Sequence, residues 1–139
     1  MKIEKVAFIN AELPYWNLVT HAVFPEYGMP LIATIVRDAG YHVDEFVEHI
    51  GPIKWDRVLA ADVVCFHAFS STMPKTIEYI NKVRAARPEV PILIGGTHVS
   101  VMLEDTLQYC DAVVRQEGDV TVPEVLKKWK NDEVLDGVL

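Results

Sequence analysis

The groups in this chain with chemistry to offer cluster in a few short stretches. "PILIGGTHVS" (91–100) runs apolar β-formers into Gly95-Gly96 and then into Thr97 and His98, which can hydrogen-bond. A glycine pair there permits either a tight strand-to-helix turn or the close approach of a ligand to the backbone. "DVVCFHAFSSTMP" (62–74) places His67 and Phe69 at a second strand end, with Ser70, Ser71 and Thr72 behind them. Those hydroxyls suit the N-cap of a following helix or contact with a ligand. "QEGD" (116–119) sets Glu117 and Gly118 in a third turn. Tyr15 and Trp16 lie in "AELPYWNLVTHAVFPEYGM" (11–29), a connection longer than is usual between packed elements and therefore a candidate lid or wall. His21, His67 and His98 show no pair at metal-ligand spacing, and neither do Cys65 and Cys110. Both cysteines sit in apolar stretches and read as buried free thiols.

Strands and helices must bring these groups together. The runs "KVAFIN" (5–10), "HVDEFV" (42–47), "DVVCFHAF" (62–69), "PILIGG" (91–96) and "DAVVR" (111–115) read as strands. Several are continuously apolar, as strands buried on both faces must be. Pro30 opens a first helix with the stripe Ile32, Ile35, Val36 and Ala39, ended by Gly40. Trp55, Val58 and Leu59 suggest a short second helix. Pro74 opens a third, with Ile77, Ile80 and Val83 facing the sheet, and a weaker turn falls at 103–108. The last helix carries a capping box, Thr121-x-x-Glu124, and the stripe Val122, Val125, Leu126 and Trp129.

Alternating strands and helices predict an α/β fold: a doubly wound five-stranded parallel sheet, flavodoxin-like in order (2-1-3-4-5), in three layers α/β/α. Ligands in such sheets bind beyond the carboxyl ends of the strands. Every candidate named above follows a strand, so all of them fall on that rim.

The chain has 139 residues, half of them apolar, and a net charge of −7. That is one domain, with no basic face for nucleic acid or an anionic membrane. No apolar run has membrane-spanning length and "MKIEKVAFIN" is no signal peptide, so a cytoplasmic location is expected. A dinucleotide site requires G-x-G-x-x-G after the first strand, but "INAELPYW" (9–16) has no glycine. A receiver domain requires an acidic pair, an Asp and a Lys where this chain has Asn10 with Glu12, His67 and Arg115. No Walker sequence or hydrolase triad motif is present.

The segments "ADVVCFHAF" (61–69), "PEVPILIGGTHVS" (88–100), "DAVVRQEGD" (111–119) and "GMPLIATIVRDAGYHVDEF" (28–46) together resemble the cobalamin-binding N-terminal domain of B12-dependent radical SAM enzymes. That family shows a D-V-V-G-I-S strand, a strand ending G-G-x-H, and G-E-G-E after the next. The resemblance implies cobalamin held across the strand ends, its nucleotide tail descending beside Gly95 and Gly96, whose missing side chains would leave it room. It implies cofactor contacts from Tyr15, Trp16, His67, Phe69, Ser70, Ser71, Gly95, Gly96, Thr97, His98, Glu117 and Gly118. The D-x-H-x-x-G histidine of the wider cobalamin family is absent, so no histidine-on mode is expected from that position, and the resemblance implies base-off binding without it. His67 stands in place of the family's serine, and Gln116 in place of its glycine.

The resemblance further implies a radical SAM domain of the same polypeptide, downstream, holding a [4Fe-4S] cluster and S-adenosylmethionine, with methyl transfer from methylcobalamin as the full-length reaction. Residues 1–132 would then be the cobalamin-binding-like domain and 133–139 the start of a linker. The chain alone reads as a binding module with no catalytic residue and no metal ligand of its own. A second reading makes it a vestigial domain that binds no corrinoid and covers a partner domain's substrate.

Overall fold

The computed structural model describes residues 1–13 and 27–135. In chain order these form β1 (Lys5–Asn10), α1 (Gly28–Asp38), β2 (His42–Val47), α2 (Trp55–Leu59), β3 (Val63–His67), α3 (Met73–Ala86) and β4 (Ile92–Gly95). They continue with α4 (Thr97–Val101), α5 (Leu103–Leu107), β5 (Ala112–Val114) and α6 (Gly118–Lys130). The five strands make one parallel sheet in the order β2-β1-β3-β4-β5, as the sequence predicts.

Side chains alternate across the strands, and two apolar layers result. Ala7, Ile9, Val64, Phe66, Ile92 and Ile94 face the layer with α2, α3 and α4, meeting Val58, Ile80, Val83 and Val99. Val6, Phe8, Val63, Cys65, Leu93 and Val114 face α1 and α6, meeting Met29, Ala33, Val36, Val122, Val125 and Leu126. Val63, Val64, Ile92 and Ile94 are fully buried. Each such side chain contributes roughly 1.5–3 kcal/mol, so the central strands hold the fold.

Three local expectations are corrected. Helix α1 begins at Gly28 rather than at Pro30 and packs through Met29, Ala33 and Val36 with half-buried Ile32, while Ala39 is exposed because the helix ends before it, at Asp38. Helix α6 begins at Gly118, so Thr121 and Glu124 form no capping box. Thr121 instead donates its hydroxyl to the Glu117 carbonyl, at 3.3 Å. Pro123 lies inside this helix, where it removes the N–H that would meet the Asp119 carbonyl. Tertiary packing fixes this early start: Gly118 is buried so tightly that a Cβ there would sit 2.7 Å from Ile32 Cδ1. At α3, no hydroxyl of 70–72 caps the helix; Thr72 Oγ1 accepts the Phe69 N–H at 3.0 Å. Helix α4, immediately after the glycine pair, was not expected from the sequence.

The rim at the N-terminal ends of the strands is finished by its own carboxylates. Asp62 Oδ2 accepts the N–H groups of Glu4 and Lys5, each at 2.8 Å. Asp111 Oδ2 accepts that of Ile92 at 2.7 Å and pairs with Arg84. Backbone donors there are already satisfied.

Candidate functional site

The opposite rim is built differently. On the α1/α6 face, strand register aligns Phe8, Cys65 and Leu93 in one row across β1, β3 and β4. Two residues further along each strand, a second row reads Asn10, His67, Gly95 and, on β5, Val114. Gly95 has no side chain, so the second row has a notch between His67 and Val114, directly beyond Leu93. A cavity of about 490 Å³ occupies this place. Its floor is Phe8, Cys65 and Leu93, each almost wholly buried. One wall is the start of α1, from Gly28 to Ile32, and the other is the start of α6, from Gly118 to Val122. Thr97, Ser100, Gln116 and Glu117 stand at its mouth.

The two glycines have different reasons. A Cβ on Gly95 would meet nothing nearer than Val114 Cβ, at 3.7 Å, so only the cavity's shape needs a glycine there. Gly96 has φ +112°, and a Cβ would lie 2.5 Å from the Ala68 carbonyl oxygen and 2.8 Å from His67 Cδ2. Gly96 also lines the cavity, but the protein's own packing already demands a glycine there. Gly96 is fixed by the close approach of β3 and β4 beyond the sheet, where Ala68 N–H donates to Gly95 O at 2.9 Å and His98 N–H to Ala68 O at 3.3 Å.

Of the residues picked out by the sequence, His67, Gly95, Gly96, Thr97, Glu117 and Gly118 line the cavity. Phe69, Ser70, Ser71 and His98 are not part of its wall. Phe69 packs edge-on against His67, ring centroids 4.8 Å apart, and His98 Nδ1 lies 3.0 Å from Ser70 Oγ. Tyr15, Trp16 and His21 lie outside the described residues. The floor was missed from the sequence. Strand alternation carried the signal: two residues back from His67 is Cys65, and two back from Gly95 is Leu93. Burial pushes the Cys65 thiol far above its ordinary value, so it stays protonated. The second cysteine, Cys110, is half-buried and its thiol is pushed up to about 12, chiefly by desolvation and then by Asp111. Both are free, as expected.

Between β1 and β2 the same rim carries a polar knot. Glu48 Oε2 accepts the Glu12 N–H at 2.8 Å and lies 3.1 Å from Lys75 Nζ, and Oε1 accepts the Tyr79 hydroxyl at 2.5 Å. Burial alone would raise the Glu48 carboxyl. The Glu12 N–H, the Tyr79 hydroxyl and the Lys75 ammonium outweigh it and hold the carboxyl below its ordinary value. Burial, then the Glu48 carboxylate, raises the Tyr79 hydroxyl. This knot ties the backbone just after β1 to α3.

Among the described residues no three His, Cys, Asp or Glu side chains gather as metal ligands, and no helix is long and apolar enough to cross a membrane. An apolar cavity with a polar mouth, set beyond the strand ends of a doubly wound sheet, defines a ligand-binding α/β domain of the flavodoxin-like type. The family model of the B12 binding domain matches residues 17–126, well over half of the chain, and the chain belongs to that family. No curated protein matches the chain.

Proposed function

We propose that this chain is the cobalamin-binding module of a radical SAM enzyme. The observation that carries the corrinoid reading is the notch at Gly95, which opens a cavity of about 490 Å³ onto an apolar floor. Such a site fits a ligand with an apolar tip on a polar body, as the nucleotide tail of a corrinoid is. Gly95, Thr97, Ser100 and Gly118 would hold that tail. Bound cobalamin supplies an alkyl-carrying cobalt centre. The chain's own residues contribute shape, water exclusion and hydrogen bonds. The sequence has no D-x-H-x-x-G histidine to replace the lower base, and a tail seated in the cavity would be held base-off.

Motif resemblance across 28–46, 61–69, 88–100 and 111–119 supports the radical SAM setting. In that setting a partner domain of the same polypeptide, with its iron–sulfur cluster and S-adenosylmethionine, carries out methyl transfer. One observation favours a second reading, a substrate-covering domain that binds no corrinoid: His67, bulkier than the family's serine, lines the cavity. Equilibrium dialysis against hydroxocobalamin decides between the two. Saturable one-to-one retention is expected of the module, and no retention would leave the second reading.

A further inference from the structure

The sheet ends in two unequal edges. β5 is three residues long, whereas β2 runs for six, His42–Val47, in unbroken register with β1. The bonds from His42 N–H to Glu4 O and from Glu48 N–H to Asn10 O set the phase of that ladder. Even-numbered residues of β2 turn their backbone groups to β1, so Val43 and Glu45 turn theirs outward, where no described residue bonds them. Further along, the Val47 carbonyl is already taken by the N–H groups of Ile50 and Gly51. Proline, lysine and bulges blunt many edge strands, and β2 has none of them.

Charge decides how a second copy can lie on this edge. In an antiparallel pairing that uses the free groups, the two-fold axis falls at Val43, at Asp44 or at Glu45. An axis at Asp44 sets Asp44 against Asp44, and one at Glu45 sets Glu45 against Glu45; like charges directly opposite are destabilising. An axis at Val43 brings only complementary groups together. His42 then faces Asp44 of the second copy, and Tyr41, one residue before the strand, faces its Glu45. Glu45 has use for a donor, since its Oε1 is buried with no hydrogen-bond partner among the described residues. We infer that this chain pairs with a second copy of itself through β2, antiparallel about Val43, joining the two five-stranded sheets into one. About four main-chain hydrogen bonds close the junction, two between the Val43 residues and one from each Glu45 N–H to the opposite Tyr41 carbonyl. The pairing turns the two carboxyl rims in opposite directions and leaves the Gly95 notch, three strands away, open in each copy.

The test is sedimentation velocity of the whole chain over about a hundredfold range of concentration, with amide hydrogen exchange measured at both ends of that range. Twice the monomer mass is expected at the upper end, with exchange at the Val43 and Glu45 amides slowed about tenfold or more. A monomer throughout would overturn the inference. So would a dimer in which those two amides exchange as fast as in the monomer, since it must join through another face. The His42 side chain is 61% exposed, so its variants are expected to fold. His42→Asp places like charges opposite Asp44 and is expected to weaken the dimer severalfold, whereas His42→Lys keeps opposite charges and is expected to retain it. A dimer equally tight in His42→Asp would overturn the register and the inference with it.

Discussion

Gly96 sits at φ +112° with the Ala68 carbonyl oxygen where its Cβ would be, so any side chain there must push β3 and β4 apart at the rim. Gly96→Ala is expected to lower stability by about 2 kcal/mol or more in urea unfolding, with or without ligand. Gln116 is the reverse case, a side chain held at φ +59°. A glycine at this place would relieve that cost, and Gln116→Gly is expected to raise stability by about 1 kcal/mol in the same measurement. His67 is a question of space rather than strain. It flanks the notch, and His67→Ser widens the way to Cys65 and Leu93. Calorimetry with hydroxocobalamin is expected to show severalfold tighter binding for that variant; weaker binding would make His67 a contact the ligand needs.

At the scale of elements, the first connection leaves β1 through Glu12, whose N–H is held by Glu48 from β2's end. Since the Glu48 carboxyl is held below its ordinary value in the folded chain, the unfolded chain takes up a proton first as pH falls. Its stabilisation is present above the unfolded carboxyl value of about 4.3 and is lost as pH falls through the lower folded value. The urea midpoint of the native chain is therefore expected to drop as pH falls below about 5 and on through the lower folded value, and that of Glu48→Gln to drop less.

The elements were also where sequence reading succeeded and failed for identifiable reasons. Continuous apolar runs at 62–69 and 91–96 read as strands buried on both faces, and the count of five strands favoured the order that the sheet shows. The start of α6 was misjudged because Thr121, Pro123 and Glu124 are a good local start signal. Packing of Gly118 against Ile32 and Val114, which no local pattern carries, outweighs it. Helix α4 was missed because Thr97–Val101 is only five residues long and has too little periodicity to show. Part of the cavity's lining was legible from residue type, His67, Gly95 and Thr97 among it, whereas Ser100 and the start of α1 were not. The cavity's floor was not, since Phe8 and Leu93 look like any core residue until register puts them in one row.

For the whole molecule, the two rims of the sheet divide the work. Asp62 and Asp111 close one with their own hydrogen bonds, and the other is left notched at Gly95. A chain with net charge −7 and its cavity on that rim is suited to a largely neutral, amide-rich ligand more than to a polyanion. The most direct test fills the notch. Gly95→Val adds bulk between His67 and Val114, and its Cβ would meet nothing nearer than 3.7 Å, so its thermal unfolding is expected to stay close to that of the native chain. In paired titrations with hydroxocobalamin, the native chain is expected to give a saturable base-off spectral change and Gly95→Val to give none. Equal binding by a folded Gly95→Val chain would contradict the placement of the ligand in this cavity.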